Sequence, residues 1–201
     1  KEGDSFIIEG PKGEVLATLQ ARGVDGTFEV SLTSPLQELL ESKGKVPIPP
    51  YIRKGESDER DLQDYQTVYA SEKREEVGSV AAPTAGLHFT DRVFQSLKEK
   101  AITRNEVTLH VGLGTFRPVK TESIRDHQMH EENYWVAANH WQDILKANYR
   151  IAVGTTGLRV LESLWPEKDH YKGGEMRSTS IFLHPGVPVH SIDALITNFH
   201  L

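Results

Sequence analysis

The chain has 201 residues, 23 of them Lys or Arg and 29 Asp or Glu, which gives a net charge of −6. This acidic balance argues against a generic nucleic-acid-binding protein, which would be basic. The sequence contains no cysteine, so disulfide frameworks, thiolate metal sites and cysteine nucleophiles are excluded. The lack of cysteine fits a reducing cytosol. The sequence has no apolar run of about 18 residues, the length expected of a membrane-spanning helix.

The two ends of the sequence predict a fragment of a longer protein. The chain starts at Lys1 rather than at a methionine, and it stops at ITNFHL within an apolar segment. We therefore expect further chain on both sides, and we expect strand edges without partners near the N-terminus.

The first 46 residues predict part of a small β-barrel domain. Apolar and polar residues alternate in short runs separated by glycine-rich turns, which is typical of half-buried strands; the runs cover residues 6–9, 14–20 and 27–32. A helix follows, with Ser34 as its predicted cap, Pro35 in its first turn and Gly44 at its end. The proline-rich stretch 46–52 predicts an extended link, with the domain boundary between residues 46 and 47.

Residues 47–201 predict an α/β domain. The highly charged stretch 53–64 predicts an exposed loop. Beyond it, apolar strand-like runs alternate with amphipathic helical segments, which is typical of an α/β layer fold. Strands are predicted at 77–82, 107–111, 151–153, 181–183 and 194–196, and helices after Thr90 and over 140–149 and 158–164.

Two strand-to-helix turns are candidates for ligand binding. Gly154-Thr155-Thr156-Gly157 follows a short buried strand, and helix N-termini offer free N–H groups to anions at the carboxyl ends of strands. A helix cap is the alternative interpretation. In Pro83-Thr84-Ala85-Gly86-Leu87-His88, small residues let a ligand approach the backbone, and His88 could act as a general acid or base.

Three further histidines could belong to a site. His110 alternates with the apolar positions Leu109 and Val111, so we expect it outside the core layer, beside Gly112. His127, His130 and Glu132 have a spacing that could bind a metal ion from a helix. A polar or RNA contact is the alternative interpretation of these three residues.

One segment of this acidic chain is locally basic. Residues 92–125 contain seven basic and three acidic side chains. A solvated helix face is one interpretation, and a patch that meets phosphate groups is the other. The basic residues are Arg92, Lys98, Lys100, Arg104, Arg117, Lys120 and Arg125.

Eight motifs in order resemble the S-adenosylmethionine:tRNA ribosyltransferase-isomerase family of queuosine biosynthesis. They are PIPPYI at 47–52, YQTVYA at 65–70, GSVAAPTAGLHF at 78–89, VTLHVGLGTFRPV at 107–119, H-x-M-H-x-E at 127–132, AVGTT-x-x-R-x-LES at 152–163, IF-x-x-PG at 181–186 and DALITNFHL at 193–201. The chain departs from the family pattern at Gly157-Leu158, where Ser-Val is usual, at His184, where Tyr is common, and at an insertion over 73–76.

This resemblance implies a β-barrel domain inserted in an α/β domain. It also implies transfer and isomerisation of the ribosyl moiety of S-adenosylmethionine onto 7-aminomethyl-7-deazaguanine at the tRNA wobble position. Adenine and methionine would leave and epoxyqueuosine would form. S-adenosylmethionine would be a co-substrate, without a metal, and the partner would be tRNA. We expect a cytoplasmic monomer.

The chemistry implied by the resemblance needs a base, an acid for departing adenine and groups that hold ribose or phosphate. We expect His88, His110, His130 and Glu132 to be catalytic, with His88 or His110 moving the proton. Substrate-binding residues are expected on the adjoining turns and helix, namely Thr84, Gly86, Gly112, Gly114, Arg117, Thr155, Thr156 and Arg159. Alternatives are a tRNA-binding module without catalysis and a metal-dependent hydrolase that uses His127, His130 and Glu132.

Overall fold

A computed structural model describes residues 1–10, 12–23, 27–71, 78–112 and 129–198. The chain forms two compact units, Lys1–Val46 and Pro47–Leu201. No helix in the described ranges is both long enough and apolar enough to cross a membrane.

The N-terminal unit is an antiparallel sheet with one helix. Its strands β1 (Ser5–Gly10), β2 (Gly13–Arg22) and β3 (Phe28–Leu32) pair in the order β1-β2-β3. Val15 and Ala17 are buried while Leu16 is exposed, so the predicted alternation along β2 is confirmed. The described strands form an open sheet, and the β-barrel stays a prediction.

Helix α1 (Leu36–Lys43) lies where a helix was predicted, but its predicted cap is wrong. The cap position falls on Pro35, one residue after Ser34, and no side chain there accepts a hydrogen bond from the first turn. Proline has no side-chain acceptor, whereas a serine at the cap would supply one.

The C-terminal unit combines short helices with two small sheets. Its helices are α2 (Asp61–Asp64), α3 (Asp91–Glu99), α4 (Ala138–Lys146) and α5 (Gly154–Leu164). Strands β4 (Thr108–Leu109), β5 (Glu132–Trp135) and β7 (Arg177–Thr179) form an antiparallel sheet, and β6 (Ile151–Val153) pairs parallel with β8 (Ala194–Ile196). The predicted mixture of helices and strands is therefore confirmed in this unit.

The core of the C-terminal unit lies between α4, α5 and the antiparallel sheet. Trp141 and Tyr171 meet edge to face with ring centroids 5.4 Å apart. The Trp141 indole donates to the Tyr171 carbonyl over 2.9 Å, so the buried indole N–H is satisfied. Leu109 and Val111 belong to this core while His110 is half-buried, as the alternation in the sequence predicts.

Two predicted strands are absent because side chains take the hydrogen bonds of their backbone. The Ile181 N–H donates to the Thr179 hydroxyl over 3.1 Å and the Ile181 carbonyl accepts from Arg159 over 3.3 Å. Residues 181–183 therefore belong to no strand of the described chain, and β7 comes earlier. Residues 78–82 likewise form no strand, and the Ser79 hydroxyl donates to the Ala81 carbonyl over 2.9 Å.

The charged stretch 53–64 is more ordered than the sequence predicts. It contains a turn at Arg53–Gly55 and helix α2, whose Asp61 side chain is buried. Asp61 pairs with Arg53 and accepts from the Asp58 N–H over 2.7 Å. The hydrogen bond from Arg53, together with that from the Asp58 backbone, lowers the pKa of the Asp61 carboxyl. The prediction of an exposed loop is therefore wrong for this residue.

Candidate functional site

The candidate site lies at the carboxyl edge of the parallel pair β6–β8. Parallel α/β sheets bind ligands at this edge. Strand β6 ends at Val153, and α5 begins at once with Gly154, whose φ of +83° favours glycine. Thr155 is exposed and Thr156 half-buried, and both lie in the first turn of α5. The expectation that this motif precedes the helix is therefore wrong: the helix starts four residues earlier.

A 3-10 turn over Thr84–His88 lies beside the start of α5. A Cβ atom added at Gly154 would be 3.7 Å from the Ala85 Cβ, so the turn and the helix start are in van der Waals range. On the same turn, His88 Nε2 lies 3.2 Å from Asn198 Oδ1, and Asn198 comes two residues after β8. Three sequence motifs, at 78–89, 152–163 and 193–201, thus meet at this edge.

The YQTVYA segment, residues 65–70, packs against the Thr84–His88 turn and the residues just before it. Tyr65 forms a hydrogen bond with the backbone of Ala82, and the Tyr69 ring lies against Gly86, where an added Cβ would be 2.8 Å from the Tyr69 Cζ. Tyr69 also packs edge to face on Phe94 of α3, with centroids 5.9 Å apart. Burial raises the pKa of both tyrosine hydroxyls, so they stay protonated hydrogen-bonding groups.

Glu132 and Arg159 form the charged part of the site. Glu132, at the start of β5, is buried and pairs with Arg159 of α5. Its other oxygen accepts from the Gly112 N–H over 3.1 Å. Arg159 also donates through Nε to the Ile181 carbonyl, while its Nη2 is buried without a hydrogen-bond partner in the described part of the chain.

Helix α5 links the two groups of residues. Thr155 and Arg159 are four positions apart and Thr156 and Arg159 three, so all three side chains lie on neighbouring positions of one helix face. Helix α5 therefore joins the two parts of the site. Its start lies beside the Thr84–His88 turn, and its Arg159 pairs with Glu132, which accepts from the Gly112 N–H.

The other predicted residues are less closely tied to this edge. The His110 N–H donates to the Asn133 carbonyl over 2.8 Å, and its ring lies beside Gly78, where an added Cβ would be 2.9 Å from His110 Nδ1. His130 is exposed just before β5. A single pocket shared by His88 and His110 stays a prediction. Gly114, Arg117 and His127 lie outside the described residues.

The prediction that His127, His130 and Glu132 bind a metal ion from a helix is wrong for His130 and Glu132, the two of these residues that the structure describes. His130 is not helical and Glu132 begins a strand, because Glu132 is drawn into the β5–β7 ladder opposite Thr179. Over residues 1–10, 12–23, 27–71, 78–112 and 129–198, no three His, Asp or Glu side chains lie together as a metal site would require.

The sequence reasoning missed Asn198 as the partner of His88 and Glu162 as a structural carboxylate. Glu162 Oε1 accepts from the His190 N–H and from the N–H and hydroxyl of Ser191, over 2.8, 2.6 and 2.6 Å. An acidic residue in the apolar run VLESL was the available signal for Glu162. For Asn198 the signal was its position just after a predicted strand.

Comparison with known proteins decides the family. The family model described as queuosine biosynthesis protein matches residues 1–201. The chain belongs to the queuosine biosynthesis protein family.

Three curated relatives of this queuosine biosynthesis family member carry the name S-adenosylmethionine:tRNA ribosyltransferase-isomerase. The relative from Treponema denticola is 47% identical over 215 positions, covering 100% of the chain and 58% of the relative. Those from Thermotoga petrophila and Rhizobium leguminosarum bv. trifolii are 42% and 43% identical, also over the whole chain, which covers 57% and 55% of their lengths. The chain thus spans little more than half the length of these relatives.

A solved structure is also similar to this family member. It is the crystal structure of S-adenosylmethionine tRNA ribosyltransferase from Thermotoga maritima, with a TM-score of 0.41 and 25% identity. The match covers 93% of this chain and 47% of that one.

Proposed function

We propose that the chain is part of an enzyme that transfers and isomerises the ribosyl moiety of S-adenosylmethionine onto a base in tRNA. The observation that carries the proposal is 42–47% identity, over the whole chain, to relatives named for this activity. The acceptor we propose is 7-aminomethyl-7-deazaguanine at the anticodon wobble position. Epoxyqueuosine would form, and adenine and methionine would be released.

In this proposal the C-terminal unit is the catalytic domain and the N-terminal unit is part of a small β-barrel domain. S-adenosylmethionine is a co-substrate and no metal takes part. The enzyme acts as a monomer in the cytoplasm, on tRNA.

The chemistry assigns separate tasks to the residues at the site. The sulfonium makes methionine a good leaving group and acidifies the adjoining 5′ carbon, so a base must take a proton and an acid must protonate departing adenine. His88 or His110 moves the proton, and His130 and Glu132 complete the catalytic set. Exposure of His88 at the sheet edge supports its assignment.

Substrate groups would be held by the turns and by α5. Thr84 and the first turn of α5 offer hydroxyl and backbone N–H groups, while Arg159 offers a positive charge beside a buried carboxylate. Gly86 and Gly112 are proposed on the strength of the motifs alone, because their N–H groups already donate to the Pro83 carbonyl and the Glu132 carboxylate. Arg117 and Gly114 are proposed to take part on the strength of the motif alone, and the basic segment 92–125 is proposed to meet tRNA phosphates.

The test is adenine release from S-adenosylmethionine, measured by chromatography, with tRNA that carries the aminomethyl-deazaguanine base. tRNA lacking this base is the negative control, and the full-length Thermotoga maritima relative is the positive control. We expect release only with the modified tRNA, and no loss with a chelator present. Binding of tRNA without adenine release would favour a binding module, and loss with chelator would favour the hydrolase.

Substitution tests the acid–base assignment. We expect His88→Ala or His110→Ala to lower turnover by about 10²–10⁴-fold, the usual contribution of general acid–base catalysis. Full turnover in both variants would end the assignment.

A further inference from the structure

We propose that Asn198 is a positioning residue for His88, holding its imidazole in the tautomer with the proton on Nε2 and leaving Nδ1 as the acceptor. The proposal rests on the proposed function only for its catalytic consequence. The tautomer is inferred from the contact between the two side chains.

The contact defines the direction of the hydrogen bond. Asn198 presents Oδ1 to His88 Nε2 at 3.2 Å, and a carbonyl oxygen can only accept. The neutral imidazole has one N–H donor and one acceptor nitrogen, so a donor at Nε2 leaves Nδ1 without a proton. A hydrogen bond at one ring nitrogen in this way sets the role of the other.

Asn198 is held in place from the strand that precedes it. Strand β8 pairs with β6 in a register that joins Ile151 to Ala194 and Val153 to Ile196. The segment that enters β8 is bound to α5, because Ser191 donates twice to the buried Glu162. Asn198 therefore lies two residues beyond a strand whose path is set by two neighbouring elements.

Asp193 and Arg150 add a second attachment at the start of β8. The Arg150 N–H donates to the Asp193 carboxylate over 2.7 Å, and the Arg150 Nε donates to the Ser191 carbonyl over 2.8 Å. The Arg150 guanidinium also lies over the Trp165 ring, 4.8 Å from its centroid. These contacts fix the strand end opposite to Asn198.

His88 is held from the other side. It is the last residue of the 3-10 turn, in which the Phe89 N–H donates to the Gly86 carbonyl over 3.0 Å. Gly86 is packed against Tyr69, and Ala85 lies against Gly154. The two partners thus come from segments 110 residues apart, each held against the β6–α5 connection.

This geometry assigns the proton-accepting atom of the proposed reaction. With Nε2–H bound to Asn198, His88 takes a proton at Nδ1. Without Asn198, the ring would rotate and exchange tautomers, so only part of the molecules would present Nδ1 correctly. Catalysis by a histidine depends on such orientation by its partner.

The chain contains a matched control pair with the opposite connectivity. Asn105 Oδ1 lies 3.0 Å from His140 Nδ1, which places the proton of that imidazole on Nδ1. Neither residue is among the proposed catalytic residues, and Asn105 is not one of the basic side chains of segment 92–125 that are proposed to meet tRNA. A single spectrum should therefore show two histidines held in opposite tautomers by two asparagines.

The test is ¹⁵N–¹H NMR of the histidine rings at alkaline pH, where imidazole is neutral, with His88→Gln and His140→Gln for assignment. We expect His88 as the Nε2–H tautomer and His140 as the Nδ1–H tautomer. Asn198→Ala should give His88 a mixture of both tautomers and leave the tautomer of His140 unchanged. Asn105→Ala should give His140 a mixture and leave the tautomer of His88 unchanged. Asn198→Asp should restore the Nε2–H tautomer, because a carboxylate also accepts from Nε2.

Three spectral results would overturn the proposal: His88 as the Nδ1–H tautomer, no change of His88 in Asn198→Ala, or equal changes of both histidines. Adenine release adds a kinetic readout. We expect Asn198→Ala to lower kcat by about tenfold or more with little change in KM, and Asn105→Ala to leave kcat unchanged. An unchanged kcat despite a changed tautomer would also overturn the positioning role.

The two readouts separate this proposal from the proposed function. If the wild-type chain releases no adenine, the proposed function fails for this chain. The spectra then still confirm or reject the Asn198–His88 hydrogen bond.

Discussion

Glu132 and Arg159 form an ion pair that is almost closed to solvent, with 4% of the Glu132 side chain and 14% of the Arg159 side chain exposed. The pair joins the start of β5 to the middle of α5. Glu132 also accepts the Gly112 N–H, so one carboxylate links three segments of the candidate site. A pair enclosed in this way is costly to break from one side, since the remaining charge stays buried without compensation.

The first prediction concerns this pair. Arg159→Gln and Glu132→Gln should each lower the free energy of unfolding by about 3 kcal/mol, as expected for a buried charge that loses its partner. The loss of unfolding free energy in the double variant should be clearly smaller than the sum of the losses in the two single variants. Urea denaturation measures all three, and Arg177→Gln is the control, because Arg177 pairs with Glu167 and Glu175 at the surface. If the losses of unfolding free energy in the two single variants simply add in the double variant, Glu132 and Arg159 are not coupled.

A second prediction tests the contact behind the His88 turn. A Cβ at Gly86 would overlap the Tyr69 hydroxyl and lie 2.8 Å from Tyr69 Cζ and 3.0 Å from Thr67 Cγ2. Gly86→Ala should therefore lower stability by roughly 1–3 kcal/mol, the usual cost of overpacking. Tyr69→Phe in the same chain should recover part of the loss, because it removes the overlapping oxygen. Thermal unfolding is the measurement, and no recovery in the double variant would count against the contact.

The third prediction uses the departure from the family pattern in α5. Gly157 lies in the helix, and among the described residues an added Cβ would meet only the Ala152 Cβ, at 4.0 Å. Gly157→Ala should raise the free energy of unfolding by about 0.5–1 kcal/mol, because glycine in a helix interior is less favourable than alanine. Urea denaturation checks this value. A loss of stability would mean that the position tolerates no side chain.

The fourth prediction follows from the pKa of Asp61. Hydrogen bonds from Arg53 and from the Asp58 backbone hold this pKa below its ordinary value of 3.8. A carboxyl with a lower pKa in the folded state stabilises the fold above the unfolded pKa and loses that effect as pH falls through the folded pKa. Asp61→Asn should therefore lower Tm at neutral pH, and the difference from wild type should shrink below about pH 4.

The control for this pH dependence is Asp64→Asn, which changes an exposed carboxylate on the same short helix. Its Tm should stay close to that of wild type across the same range. A difference between wild type and Asp61→Asn that stays constant into acid would show that the charge of Asp61 is not responsible.

Local patterns in the sequence predicted several elements correctly. Alternation located β2, and the Thr90 hydroxyl accepts from the Val93 N–H over 3.3 Å at the start of α3, as its cap position predicts. Strands β6 and β8 also lie where short apolar runs predicted them. These features depend on residues a few positions apart, and such short-range interactions can be recognised in a sequence.

Two predictions failed where side-chain hydrogen bonds compete with local sequence propensity. The run 181–183 has strand-like residues, yet Thr179 and Arg159 take the hydrogen bonds of Ile181. In the same way Asp61, in a highly charged stretch, is buried by its pairing with Arg53. Local propensity is weaker than a set of satisfied side-chain hydrogen bonds, so it was overridden at both places.

The sequence alone determined the family, because eight motifs in a fixed order identify it whatever the fold. It also predicted His88 and Glu132 as catalytic residues and Arg159 as a substrate-binding residue, and these roles stay predictions. Only the tertiary structure decided their partners: Asn198 for His88, 110 residues away, and Arg159 for Glu132, 27 residues away. Such pairs form because packing of α5 against the two sheets brings distant segments within hydrogen-bond distance, and that packing is a property of the whole folded unit.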